Sequence, residues 1–325
     1  MKPNIAILAG GNSSEYDISI GSAEQVAGII DRNKYTPFLI HVQGTSWFYT
    51  SPDGTKTEVD KNDFSLTLDS QKIQLEYALI LIHGTPGEDG LMQAYFEMMG
   101  IPFSSGGFLA SAVTFDKSVC KRMMAPTGIA MAREVLLSSG DEIDAPAIIE
   151  QLGLPLFVKP NASGSSCGVS KVKTAEELVP AVRAAWKEGE QVIIEEFIEG
   201  TEVSCGTMMA GGKPIVFPPT EIVSKKEFFD YEAKYTPGMS DEITPARISP
   251  EETAEIQRRS LMAYRALRCR GVARVDFIIR QGIPYMIEIN TVPGMSAGSI
   301  IPKQAAAMGM SMTELFNLII SDTFQ

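Results

Sequence analysis

Apolar and polar positions along this chain fall in blocks that switch between strand and helix periods. Ile5-Ala6-Ile7-Leu8-Ala9 is continuously apolar and ends at Gly10-Gly11-Asn12-Ser13-Ser14, the pattern of a first buried strand running into a polar loop. Ile18, Ser22, Val26 and Ile29-Ile30 then mark one helical face. A second apolar strand, Tyr77 to Ile82, runs into His83-Gly84-Thr85-Pro86-Gly87-Glu88-Asp89-Gly90, and a helix with Met92, Phe96 and Met99 on its buried side follows. This strand-loop-helix order predicts a small α/β domain with a mainly parallel sheet. Both polar loops fall at the carboxyl ends of strands, where such domains bind ligands.

A second region starts near Ile101-Pro102-Phe103-Ser104-Ser105-Gly106-Gly107, with a helix around Lys117 to Lys121 and a strand from Leu154 to Lys159. The loop after that strand, Pro160-Asn161-Ala162-Ser163-Gly164-Ser165-Ser166-Cys167-Gly168, has glycines for close backbone approach and amides and serines that suit phosphate oxygens. It lacks the G-x-x-x-x-G-K-[ST] order of a P-loop, and a surface turn is the competing reading. A strand from Gln191 to Ile198 opens a third region. Ser224 to Ser249 is a long polar segment without periodicity, which reads as a lid or binding loop, with disorder as the alternative. A helix from about Pro250 to Leu267 follows, and the chain ends in a largely helical stretch, Ile301 to Ile320. The methionines Met92, Met98, Met99, Met123 and Met124 lie at helical spacings and are expected in the core.

Val272 to Ile279 and Pro284 to Asn290 read as two strands of a hairpin whose turn is Arg280-Gln281-Gly282. Centring the turn on Gly282 sets residue 276 opposite 288 and 274 opposite 290. Strand side chains alternate, so Arg274, Asp276, Glu288 and Asn290 are expected on one face. Two carboxylates and a carboxamide suit magnesium, which keeps part of its shell for water and substrate phosphate, and an arginine beside them suits an anionic ligand. A solvated face of charges in salt bridges is the alternative.

Composition narrows the class. The chain has 325 residues, 44% of them hydrophobic, enough for two or three domains with proper cores. Its longest apolar runs are strand-sized, so neither a membrane span nor a signal peptide is expected. Cys120, Cys167, Cys205 and Cys269 are scattered and without neighbouring histidines, which argues for reduced thiols in the cytoplasm rather than for zinc or disulfides. A net charge of -12 argues against a nucleic-acid partner and requires that positive charge for an anionic substrate be placed locally.

Gly10-Gly11-x-Ser-x-Glu15, His83-Gly84-x-x-Gly87-Glu88-Asp89-Gly90, Lys159-Pro160 with Gly164-Ser165-Ser166-x-Gly168, Tyr231-Glu232-Ala233-Lys234-Tyr235 and Glu288-x-Asn290-Thr291-x-Pro293-Gly294-Met295 occur in that order. With these segments the chain resembles the D-alanine:D-alanine ligases of the ATP-grasp superfamily from Ile5 to about Leu318. The resemblance implies an α/β, three-domain ATP-grasp fold: a Rossmann-like N-terminal domain over residues 1–105 and two α+β domains, 106–198 and 199–325, that enclose ATP. It implies ATP-dependent joining of two D-alanines through a D-alanyl phosphate, for peptidoglycan precursors, by a cytoplasmic homodimer. A D-alanine:D-lactate ligase shares nearly every motif, although Tyr235 favours the dipeptide. A non-catalytic ATP-sensing module is the reading from another class.

Roles follow from the resemblance residue by residue. Lys117, Lys159 and, from the lid, Lys234 would hold ATP phosphates, with Ser166 in the loop that closes over them. Glu195, Glu196 and Ile198 would face adenine, and Glu202 the ribose. Asp276, Glu288 and Asn290 would bind two magnesium ions, for which manganese could substitute. Arg274 and the Gly294 amide would stabilise the oxyanion. Glu15 would take the first D-alanine's ammonium, tied to the lid by Ser165 and Tyr235, with His83 nearby, and Ser299 and Ile300 would take the second D-alanine's carboxylate. Unaided by resemblance, Glu15 could equally be a charge favouring a helix N-terminus, and His83 a hydrogen-bonded structural residue.

Overall fold

The computed structural model describes residues 2–164, 168–224 and 240–324. Strand Asn4–Gly10 is an interior strand of a five-stranded sheet and pairs in parallel with Thr36–Gln43 on one side and Tyr77–Ile80 on the other. Its apolar run is explained by burial on both faces. Ile5, Ile7 and Ala9 pack with Ala23 and Val26 of helix Tyr16–Ile29, whereas Ala6 and Leu8 pack with Met92 and Phe96 of helix Leu91–Met99. Helix Met312–Thr323 returns from the chain's end to add Leu315, Phe316 and Ile319 to the first of these layers.

Four antiparallel strands form the next sheet, in the order Ser170–Val172, Leu156–Pro160, Gln191–Glu196, Glu134–Ser138. Its apolar face is covered by helices Ala145–Leu152 and Ala175–Ala185. The largest sheet has seven strands built around Thr201–Ala210, Val272–Arg280 and Ile283–Asn290. Helix Pro250–Ala266 lies on its back, begun by a capping box between Ser249 and Glu252 with Pro250 in the first turn.

The predicted hairpin is present, with a refinement that decides the site. Its turn is Gln281-Gly282, with φ of 52° and 76°, the left-handed pair that a two-residue hairpin favours. From this turn Arg280 pairs with Ile283 and Phe277 with Met286, a register that would set Asp276 opposite Ile287. A bulge between Asp276 and Phe277 leaves Ile287 unpaired, so that Asp276 faces Glu288 and Arg274 faces Asn290. The predicted pairing is therefore reached through an extra residue rather than through a turn centred on Gly282.

Two expectations need correction. Met92 and Met124 are buried, but Met98 is 88% exposed and Met123 52%, because the helices carrying them turn those faces to solvent. The end of the polar segment 224–249 is ordered structure: Ser240–Ile243 pairs antiparallel with strand Thr220–Ser224. Residues 225–239, including Lys234 and Tyr235, lie outside the described residues, as do Ser165, Ser166 and Cys167. Among the described residues no helix is long and apolar enough to cross a membrane.

Phe277, fully buried behind the hairpin, anchors the bulge from the core side. Phe277→Ala should lower stability by about 3–5 kcal/mol, measured by urea unfolding; a loss below about 1 kcal/mol would contradict this packing.

Candidate active site

A cavity of about 1140 Å³ lies between the four-stranded and seven-stranded sheets and is closed at one end by the loops of the first sheet. The hairpin face forms one wall. Asp276 is gripped by Arg274 in a fork, Nε to Oδ1 at 2.8 Å and Nη2 to Oδ2 at 2.7 Å. Ser204 Oγ donates to the same carboxylate at 2.6 Å, and Asn290 Nδ2 at 3.0 Å. Burial opposes the Arg274 charge, but Asp276, Glu288 and Glu88 outweigh it and raise its pKa, so the guanidinium stays charged. Glu202, on the adjoining strand, is pushed up to about 8, by burial first and then by Asp276 and Glu288. A cation held by Asp276 and Glu288 would offset the two charges that raise Glu202. Among the described residues no three His, Cys, Asp or Glu side chains form a metal cage. Asp276, Glu288 and Asn290 offer the hard oxygen donors that could hold a magnesium ion sharing its shell with phosphate and water.

The opposite wall carries the lysines. Lys159 Nζ lies 2.5 Å from Glu195 Oε2, and Lys121 Nζ 2.6 Å from Glu195 Oε1. Burial disfavours the Glu195 charge, but the two ammonium groups overcome it and hold its pKa at about 2. Lys117 Nζ donates to the Ser163 carbonyl at 2.7 Å, which ties the start of the phosphate-type loop to the helix Lys117–Met124. Burial lowers the pKa of Lys117, a cost that an anionic ligand beside it would offset. Beyond the lysines the cavity becomes apolar between Phe157, Phe197 and Ile198, with Lys171 Nζ 4.0 Å above the Phe197 ring. Glu196 lines the same end, held by Arg133 at 2.7 Å. That end offers a flat apolar slot edged by strand backbone, which suits a purine.

Glu15, His83 and Glu88 line the cavity at the mouth of the first sheet. Glu15 occupies the N-cap of its helix yet makes no side-chain cap bond, and it is only 3% exposed. Its carboxyl therefore stands at a helix N-terminus, where negative charge is favoured, and lines the cavity as well. Ser299 caps helix Ile300–Ala307 without bonding its backbone, and its Oγ lies 2.8 Å from Ser296 Oγ. A Cβ on Gly294 would come within 2.9 Å of Ser299 Oγ, so any larger residue here would have to turn that hydroxyl aside.

Every predicted site residue that the structure describes lines this one cavity, from Glu15 to Ile300. Residues the sequence reading passed over line it too, Glu88 and Lys303 among them, and Lys121 stands directly behind it. Spacing held the signal for two of these. Lys121 follows Lys117 by four residues and Lys303 follows Ser299 by four, and such pairs share a helix face. Glu134, which braces Lys121 at 2.9 Å from a neighbouring strand, has no local signal at all.

The depressed Glu195 pKa gives a pH test. A folded-state value below the ordinary 4.5 stabilises the fold above pH 4.5, and the contribution is lost as pH falls toward about 2. Glu195→Gln should thus destabilise the nucleotide-free protein at pH 7, with the difference shrinking as thermal unfolding is followed from pH 4.5 downward. A difference independent of pH would contradict the paired-carboxylate account.

Comparison with known proteins agrees with this geometry. Residues 4–106 match the family described as D-ala D-ala ligase N-terminus, and residues 123–321 the D-ala D-ala ligase C-terminus. The D-alanine--D-alanine ligase of Bacteroides fragilis is 46% identical over 325 residues, covering 100% of both chains. That of Flavobacterium johnsoniae is 48% identical, covering 96% of this chain and 97% of its own. Among solved structures, the VanG D-Ala:D-Ser ligase from Enterococcus faecalis superposes with a TM-score of 0.90 at 31% identity, covering 100% of both chains. A Bacillus anthracis D-alanine--D-alanine ligase complexed with ATP gives 0.79 at 29% identity, over 99% of this chain and 97% of that one. With two family profiles and full-length relatives in agreement, the chain belongs to the D-alanine--D-alanine ligase family and has its ATP-grasp fold.

Proposed function

We infer that this protein joins two D-alanine molecules into D-alanyl-D-alanine at the expense of ATP, the dipeptide being a peptidoglycan precursor. One observation carries the reading beyond family membership: the lysine wall, the carboxylate hairpin and the polar residues Glu15, His83, Ser296 and Ser299 line a single cavity.

ATP would lie with its purine in the apolar slot by Phe157 and Phe197, bonded by the backbone of Glu196 to Ile198, and with its ribose toward Glu202. Both oxygens of Glu195 are held by lysines, which favours backbone groups as the main adenine partners. Lys117 and Lys159 would take the phosphates, joined by Ser166 and Lys234. Magnesium held by Asp276, Glu288 and Asn290, as two ions with manganese as a substitute, would neutralise charge on the phosphoryl group. A carboxylate oxygen of the first D-alanine, held through its ammonium by Glu15 near His83, attacks the γ-phosphorus, and ADP departs. The second D-alanine, with its carboxylate at Ser299 and the Ile300 amide of the helix N-terminus, attacks the acyl carbon through its amine. Charge then builds on the carbonyl oxygen between Arg274 and the Gly294 N–H, before phosphate leaves and the nitrogen loses a proton. Ser165 and Tyr235 would link Glu15 to the lid that excludes water from the acyl phosphate.

Division into regions 1–105, 106–198 and 199–325 is supported by the near confinement of each large sheet to one region, the short strand Ala130–Met131 excepted. A cytoplasmic site accords with three buried free thiols among the described residues. A homodimer, as the family resemblance implies, would cover some of the exposed Leu91, Met98, Phe108 and Leu109.

The route predicts where oxygen travels. With D-alanine labelled by ¹⁸O in its carboxylate, the phosphate released should carry ¹⁸O, and ADP release should need D-alanine rather than L-alanine. Unlabelled phosphate, or ADP released without any amino acid, would refute the acyl phosphate route. Product formed from D-alanine plus D-lactate at neutral pH would instead indicate the ester-forming activity.

A further inference from the structure

Lys121 takes part in no step described above, yet it is a lysine only 9% exposed beside the phosphate end of the cavity. It lies one helical turn beyond Lys117, and its ammonium sits between two carboxylates, 2.6 Å from Glu195 Oε1 and 2.9 Å from Glu134 Oε2. The remaining oxygen of Glu134 accepts from Ser118 Oγ at 2.6 Å. The remaining oxygen of Glu195 meets Lys159 at 2.5 Å. A row of alternating charge thus runs Glu134, Lys121, Glu195, Lys159 across adjacent strands, since Glu134 and Phe157 flank Glu195 in the sheet.

A buried ion is tolerated only when its partners are fixed around it. The row as a whole is neutral, and only its Lys159 end reaches the region assigned to phosphate. Without Lys121 the same ground would hold two carboxylates against one ammonium. Lys159 would then be drawn back between them, and the phosphate end would gain negative charge. We propose that Lys121 is a positioning residue for the nucleotide phosphates: by occupying one oxygen of Glu195 it orients the other, which fixes the Lys159 ammonium at the cavity wall. The proposal rests on the reading that this cavity takes ATP.

Calorimetric titration of the full-length protein with ATP and with adenosine, magnesium present, tests it. Lys121→Met should weaken ATP at least about tenfold, roughly 1.4 kcal/mol, while adenosine changes less than about twofold, because adenosine has no phosphate for Lys159 to hold. Lys121→Arg, which keeps the charge, should recover most of the ATP affinity. The double variant Lys121→Met with Glu134→Gln removes one charge of each sign, leaves no additional buried carboxylate unpaired, and should show the same selective loss of ATP. Equal weakening of ATP and adenosine, or unchanged ATP affinity in the folded double variant, would overturn the inference. Wild-type protein that fails to bind ATP would instead overturn the reading of the cavity itself.

Discussion

Everything at the hairpin depends on one extra residue. The two-residue turn at Gln281-Gly282 imposes a register in which Asp276 would oppose Ile287, and Glu288 and Asn290 would then belong to the other face. Accommodating Ile287 in a bulge shifts the strand by one position and restores Glu288 and Asn290 to the side of Asp276 and Arg274. Beyond the bulge toward the turn, Phe277 and Met286 are buried in the core under helix Pro250–Ala266. Packing on one side and chemistry on the other are thereby set by a single irregularity, a common use of bulges beside active sites.

The second constraint is charge. A chain of net charge -12 must bind a polyanion, and it does so by burying a few cations, most of them answered by a carboxylate. Arg274 is forked onto Asp276, and Lys159 and Lys121 share Glu195. Such pairs add little net stability, but losing one partner costs about 3–5 kcal/mol, so they fix geometry more than they strengthen the fold.

How much of this could be read in the sequence follows from how local each signal is. The buried strand Ile5 to Ala9, the capped helix at Pro250 and the paired positions of Arg274, Asp276, Glu288 and Asn290 were legible, because period, cap and turn chemistry are all local. The bulge was not, since the predicted pairing came out right from a misplaced turn centre. Met98 and Met123 were misjudged because helical spacing alone does not say which face meets another layer. The partnership of Lys121 with Glu134 and Glu195 joins a helix to two strands far apart in the chain, and only the fold brings them together. Assigning Glu15 and Ser299 to substrate came from resemblance, and the structure adds that neither side chain caps the backbone of its own helix.

We propose that the bulged hairpin presents a metal face to the nucleotide. Crystals grown with ADP and manganese, measured at a wavelength where manganese scatters anomalously, test it most directly. Anomalous peaks bonded to carboxylate oxygens of Asp276 and Glu288 and to the carboxamide oxygen of Asn290, beside the nucleotide phosphates, are the predicted result. Manganese held by nucleotide and other side chains, with no peak on the hairpin face, would contradict it.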